Sequence, residues 1–393
     1  MRRMVWLGCC VWMTGASAQT TGEDFTVTTY NLGLAYGFVE HAEPRRDALI
    51  EQLAQEEADV MCFQEVWTPE DRDALQEALG QGSVSTYAEP VAQRHAESRP
   101  ACGLSQLFGD GRFVSCMQGS CSGLEGKVFT DCIVDQCGPA LDALKEESPS
   151  CAQSLMAQVG KSAMAGLWTV IQPFSRAGVY AYGGSDGLVL ASRLPMRNSG
   201  MLDFTEQATL NRRRAYYADV DVAGTDVRVY CTHLTADLSK TAPYPGPFAS
   251  WEEENETQME LLLEHAANFD GPVVLAGDFN CSLPNADGTV KGEHEASCRS
   301  VLNAGYQDLA AESPGACTYC ADNGLLADDV EDVLLDHVFV RGWTATAGER
   351  IYDDPRSVEG VEQPIPLSDH YGYRARVSPP PAEPTTEDAP APE

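Results

Sequence analysis

Apolar and polar positions alternate over residues 25–32, Phe25-Thr26-Val27-Thr28-Thr29-Tyr30-Asn31-Leu32, and this two-residue period in a β-branched run predicts a strand. Leu49, Ile50 and Leu53 recur at helical spacing within Arg45–Gln55, and Asp59–Val66 predicts a second strand. The same alternation of elements resumes at Gly187–Ser192. It continues through strands at Tyr216–Val222 and Val227–His233, a helix at Thr257–Ala267, and strands at Pro272–Phe279, Val333–Val340 and Tyr371–Val377. Only a Gly turn separates the strands at 216–222 and 227–233, which predicts a mixed or antiparallel sheet. Layered sheets with helices outside follow, an α/β fold. Residues 90–175 interrupt this order with cysteines and apolar, helix-like pieces such as Cys151–Trp168, so they read as an insertion in a body spanning 19–377. The tail, 378–393, is rich in Pro, Glu and Ala and is expected to be disordered.

The N-terminus changes the picture. Arg2-Arg3, the apolar run Met4–Met13 and Ala16-Ser17-Ala18 have the layout of a secretory signal peptide, residues 1–18. The apolar run is too short to span a bilayer, and no later stretch does so. The mature chain is expected to start near Gln19 and to be secreted or periplasmic.

Export gives the cysteines a meaning. Of 14, Cys9 and Cys10 leave with the leader, and twelve remain. Cys102, Cys116, Cys121, Cys132, Cys137 and Cys151 read as a local three-disulfide module, with 15 pairings open. Cys281, Cys298, Cys317 and Cys320 suggest two further bridges; a zinc site at Cys317–Cys320 lacks a second nearby C-x-x-C. Cys62 and Cys231 lie in apolar strand-like runs and read as small buried hydrophobes.

With 59 Asp+Glu against 26 Lys+Arg, the net charge of −33 excludes a wide basic surface for nucleic acid or anionic lipid. A phosphate-cleaving enzyme stays open, because divalent cations supply positive charge locally. The residues for such chemistry stand at strand ends: Asn31, Glu65, His233, Asp278 with Asn280, Asp336, and Asp369-His370. Glu65 and Asp369 offer carboxylate oxygens, and Asn31 a neutral one, to a hard cation such as Mg²⁺, with Mn²⁺ and Ca²⁺ as alternatives. His370 can serve as base, with Asp336 fixing its tautomer and orientation. His337 adjoins Asp336 but should point to the opposite strand face and be structural. His41, His95, His265 and His294 lack supporting context and read as surface residues. Arg212-Arg213-Arg214 reads as a solvated turn at least as well as a phosphate site.

The ordered set T-Y-N-L (29–32), A-D-V-M-C-F-Q-E-V (58–66), G-L-V-L-A-S-R-L-P (187–195), Y-C-T-H-L (230–234), V-V-L-A-G-D-F-N (273–280), L-D-H-V-F-V (335–340) and L-S-D-H-Y (367–371) resembles the endonuclease/exonuclease/phosphatase superfamily. That superfamily includes pancreatic-type DNases, neutral sphingomyelinases and inositol polyphosphate phosphatases. The resemblance covers about residues 25–90 and 180–377. It implies a four-layered α/β sandwich of two packed mixed sheets flanked by helices, and a Mg²⁺-dependent phosphoesterase. It makes Glu65 the main metal ligand, with Asn31 and Asp369 completing or supporting that site. Asp278 would position the attacking water, Asn280 would hold a phosphate oxygen, and His233 would contact the phosphate. Asp336 and His370 would form the acid–His pair. The family often carries an Arg three residues before a Gln on the helix after the T-H-L strand; here Gln258 fits and Asn255 takes the Arg position.

The leading expectation is a monomeric phosphodiesterase, sphingomyelinase-like phospholipase C or DNase-like nuclease, acting on a phospholipid head group or nucleic acid. Peripheral membrane contact through the apolar insertion fits the first. A phosphomonoesterase on phosphorylated inositols would want a basic cradle, and the chain has only five Lys. A non-catalytic binding or toxin-like module on the same fold is the rival class.

Overall fold

The structure, a computed structural model, describes residues 24–80, 84–87, 93–124, 126–158, 161–239, 244, 246–311, 316–327 and 329–380. The expected signal peptide, and the tail from 381 onward, lie outside the described residues. The order is β1 (Phe25–Asn31), α1 (Ala42–Leu53), β2 (Val60–Gln64), α2 (Pro69–Leu79) and β3 (Ser85–Tyr87). Five helices follow: α3 (Leu104–Leu107), α4 (Phe113–Ser120), α5 (Gly126–Glu147), α6 (Pro149–Met156) and α7 (Ala163–Ile171). The chain continues with β4 (Val189–Ser192), β5 (Met196–Asp203), β6 (Arg214–Val222), β7 (Thr225–His233), α8 (Trp251–Ala267), β8 (Val273–Asp278) and α9 (Glu295–Asn303). It ends with β9 (Gln307–Asp308), β10 (Asp336–Arg341), β11 (Thr344–Ile351) and β12 (Gly372–Ser378), whose last residue is the first of the expected tail.

These strands build two six-stranded mixed sheets, β11-β12-β1-β2-β4-β3 and β5-β6-β7-β8-β10-β9. The pairs β1–β2 and β7–β8 are parallel, and the other pairs are antiparallel. Inward residues of both sheets, among them Val27, Leu190, Val229, Val274 and Val338, form the central core. Leu49 and Leu53 of α1 and Leu75 and Leu79 of α2 pack on Met61 and Phe63 of the first sheet. Met259 and Leu262 of α8 and Val301 of α9 cover Leu275 and Phe339 of the second. The result is the expected four-layered sandwich.

Cys62 and Cys231 are not free thiols. They form a disulfide that joins β2 of one sheet to β7 of the other. Spacing hid this because the bridge crosses the layer between sheets. The other pairs are Cys102–Cys151, Cys116–Cys137, Cys121–Cys132, Cys281–Cys298 and Cys317–Cys320. Six disulfides suit an oxidising compartment.

The stretch expected to be an insertion packs around its own core of Phe113, Val114, Leu144, Leu167 and Val170 with four of its cysteines. Its expected helix over Cys151–Trp168 is instead two, α6 and α7. A short antiparallel neck closes its base: the Ala96 N–H donates to the Ala177 carbonyl (2.9 Å) and the Val179 N–H to the Arg94 carbonyl (3.1 Å).

Candidate active site

Strand register assembles the centre. His233 is the last residue of β7 and pairs with Asp278, the last of β8; Asp278 in turn faces Asp336, the first residue of β10. Directly opposed residues on neighbouring strands share a face, so the three side chains converge. From the other sheet, Asn31 ends β1, and its Nδ2 donates to Asp278 Oδ2 at 2.9 Å. The same oxygen lies 3.4 Å from His233 Nε2 and 4.0 Å from His370 Nε2. His370 Nδ1 is 2.8 Å from Asp336 Oδ2. The two sheets therefore meet on one carboxylate.

The loops beside these strands are held by buried polar contacts. The Arg45 guanidinium, fully buried, donates to the carbonyls of Gly33 (2.7 Å), Glu40 (3.0 Å) and Leu367, tying the segment after Asn31 to the one before Asp369. Gly33 is required there: it has φ +55°, and a Cβ would sit 2.3 Å from Asp369 Oδ1. Ser368 Oγ donates to the Asn31 carbonyl at 2.7 Å, and Asn323 Nδ2 to the Ser368 carbonyl at 2.9 Å. Thr318 Oγ1 accepts from the Asp336 N–H, between the cysteines of the Cys317–Cys320 bridge, while the Tyr319 ring lies 5.1 Å from His370. Trp67 stacks on Tyr182 at 4.8 Å and approaches His233 at 6.1 Å, forming one wall.

Electrostatics distinguish the groups. Burial and the neighbouring Asp369 carboxylate push Glu65 up to about 7, and its Oε2 is buried with no protein partner. Burial and Asp336 push Asp278 up to about 6. Burial also disfavours charge on His370, yet Asp336, with Asp278 and Asp369, raises it well above its ordinary value. His233 is driven the other way, well below its ordinary value, by burial, Arg213 and His370, and its Nδ1 has no partner. Crowded carboxylates with an orphaned oxygen are a donor set a hard divalent cation would fit, since its charge would relieve both. Glu65, Asn31 and Asp369 are the residues expected from the sequence to hold it, and Glu65 and Asp369 are near enough for their charges to interact. Asp278, Asp336 and His370 also cluster closely enough to ligate; His370 Nδ1 and Asp336 Oδ2 are joined by a hydrogen bond, while Asp336 Oδ1 is a second buried oxygen without a partner.

Asn280, with φ +48°, caps its own turn by donating its N–H to Asp278 Oδ1 (2.9 Å), while its Nδ2 donates to the Leu234 carbonyl (2.9 Å). His337 lies on the opposite strand face, with Nδ1 3.1 Å from Asp308 Oδ2 and Nε2 2.9 Å from the Cys281 carbonyl. His41 and His95 are exposed as expected, but His294 is buried and His265 Nδ1 bonds the Tyr230 hydroxyl at 2.8 Å. The Arg triplet is not a solvated turn. All three are buried; Arg212 pairs with Asp203, and Arg214 with Asp186 and Asp203. Arg213 Nη1 has no hydrogen-bond partner and senses Asp278 and Glu65. Asn255 and Gln258 are engaged by neighbouring backbone: Asn255 Nδ2 donates to the Thr235 and Phe279 carbonyls, and Gln258 Oε1 accepts the Thr235 N–H. Arg213 supplies the buried cation on this side, and a run of three arginines before a strand was its only signal.

A family model described as Endonuclease/Exonuclease/phosphatase family matches residues 28–370. A comparison with curated proteins gives no match. Among solved structures, SmcL is similar at 14% identity and TM-score 0.51, with 90% of this chain and 99% of that one covered. An endonuclease/exonuclease/phosphatase from Bacteroides vulgatus has 13% identity, TM-score 0.50, and 91% and 100% coverage. A family protein from Bacteroides thetaiotaomicron has 10% identity, TM-score 0.50, and 91% and 99% coverage. At these identities the likeness is one of fold.

Proposed function

Since the chain belongs to the Endonuclease/Exonuclease/phosphatase family, we propose that it is an exported, Mg²⁺-dependent phosphodiesterase, and that its substrate is a phospholipid head group rather than nucleic acid. The observation that carries the activity is the convergence of Asn31, His233 and His370 on Asp278, with Asp336 behind His370. Mg²⁺ at Glu65, Asn31 and Asp369 would neutralise phosphate oxygens and raise the electrophilicity of phosphorus. Asp278 accepts a hydrogen bond from the attacking water and aims it. His370 Nε2 faces the same space, while Nδ1 is pinned by Asp336, so ring orientation is set before substrate arrives. Arg213 presents an unpaired cationic donor, and His233, in the neutral tautomer that carries its proton on the unpartnered Nδ1, a second donor, both suited to phosphoryl oxygens. Asn280 orders the Asp278 turn. Lipid is favoured because the described exposed apolar side chains concentrate in the insertion.

The test is a substrate panel of sphingomyelin, phosphatidylcholine, plasmid DNA, RNA and bis-p-nitrophenyl phosphate, with Mg²⁺ and with EDTA, on wild type and Glu65→Gln. Diester cleavage is expected only with Mg²⁺ and wild-type Glu65. Full turnover in EDTA would overturn the metal assignment. Cleavage of DNA but neither lipid would overturn the substrate, and no cleavage at all would leave a binding module.

A further inference from the structure

The helix α7, Ala163–Ile171, contains no charged residue, although it lies at the surface. Its inner face buries Leu167 and Val170, and its outer face presents Met164 (70% exposed) and Trp168 (62%), one turn apart. A surface helix normally turns a polar face outward. Phe174, just past the helix, is 85% exposed, and Leu104, two residues beyond the Cys102 N–H that bonds the Val170 carbonyl, is 62% exposed. Of nine large hydrophobic side chains exposed among the described residues, seven lie between 104 and 174.

Charge is segregated in the same place. The chain carries 59 carboxylate side chains, yet residues 148–185 contain none, while Lys161 and Arg176 flank the apolar group and are exposed. Apolar and aromatic residues framed by cations suit a surface that is hydrocarbon below and phosphate at its rim. The net charge of −33 opposes approach to an anionic bilayer. The occupant that meets both conditions is a zwitterionic phospholipid surface.

We propose that the face of the insertion presented by α7 and the segment after it, with Met164, Trp168 and Phe174 as its anchors, docks the enzyme on zwitterionic phospholipid membranes. This rests on the lipid reading of the active site. The same chain leads from Phe174 through the neck to Tyr182, which stacks on Trp67 at the catalytic wall.

The experiment measures sedimentation of the intact, disulfide-bonded protein with phosphatidylcholine vesicles in EDTA, and quenching of tryptophan emission by brominated phosphatidylcholine. Wild type is expected to bind and be quenched. Trp168→Ala/Phe174→Ala should bind at least about tenfold more weakly, yet hydrolyse bis-p-nitrophenyl phosphate as wild type does. Phe174→Glu alone, at a fully accessible position, serves should the double variant misfold, and should also weaken binding. Wild-type binding by the variants, no binding by wild type, or concentration-dependent dimers abolished by the same substitutions would overturn the proposal. Vesicle binding without cleavage of any lipid would instead refute the lipid activity and leave the docking face standing; lipid cleavage without binding would do the reverse.

Discussion

The sandwich and its insertion handle charge and grease in opposite ways. The sandwich buries Arg45, Glu56, Arg213, Asp219, Asp278 and Asp336 inside a largely apolar body. The insertion buries no charged side chain among its described residues, only Ser154 and Gln158, and exposes its large apolar ones. Buried charge is costly unless paired, and most of the sandwich's charges are paired: Glu56 with Arg374 at 2.7 Å, Asp219 with Arg228 at 2.7 Å. Near the centre the pairing is incomplete, at Glu65, Arg213, His233 and Asp336 Oδ1. Strain of that kind is tolerable in a body stabilised by two large sheets. A small helical unit stapled by three disulfides has no such reserve, and its unconventional groups sit outside.

The largest effect should come from the sandwich, where His370→Ala is expected to reduce diester turnover roughly 10²–10⁴-fold with an unchanged far-ultraviolet circular dichroism spectrum. His337→Ala should instead lower stability and leave turnover of the folded fraction near normal. A larger rate loss at His337 would reverse the assignment of the two histidines.

Disulfide removal sharpens the contrast in stability. Cys62→Ala/Cys231→Ala opens a span of 169 residues and should cost about 5 kcal/mol, against about 3 kcal/mol for Cys121→Ala/Cys132→Ala with its span of 11. Denaturant unfolding without reductant measures both. Equal losses would mean that the bridge between sheets does not restrict the unfolded chain as its length implies.

Arg213→Gln is expected to slow turnover by about 10²–10³-fold, whereas Arg176→Gln, at the base of the insertion, should leave soluble-diester turnover within about twofold. If Arg213→Gln altered only the melting temperature, Arg213 would be a structural counter-charge to Asp278 and Glu65.

The smallest effect concerns Glu254, which accepts hydrogen bonds from Thr209, Thr235 and Tyr244. Burial nevertheless raises its pKa above the ordinary 4.5. A carboxyl raised in the fold favours the native state while protonated and loses that advantage as pH climbs through the folded value. Relative to Glu254→Gln, wild type should therefore lose stability with rising pH from about 4.5 upward. Parallel pH profiles would contradict this.

Strand ends were legible because apolar runs stop at polar residues in a fixed order: Asn31, Glu65, His233, Asp278, Asp336. Each run is interior to its sheet, and those of β2, β8 and β10 are apolar over most of their length, which gives a strong signal. Edge strands gave none: β5, Met196–Asp203, alternates between half-buried and exposed residues, and β11 lies at the rim of its sheet. Cys62–Cys231 could not be read, since pairing between sheets depends on which strand faces are opposed. Nor could Arg213, because three consecutive arginines look solvated until the flanking carboxylates are known. The reach of Arg45 from α1 to the Leu367 carbonyl is equally silent in sequence.

The paired segments at 94–96 and 177–179 have one more consequence. They bring the two ends of the insertion side by side, as at the base of a hairpin, so the length between them is invisible to the sheets. Entropy of closing such a span grows only logarithmically, about 0.6 kcal/mol per doubling. Lineages could lengthen, trim or exchange this appendage without re-threading the body or disturbing a catalytic residue. What the molecule touches is thereby free to evolve while its chemistry stays fixed.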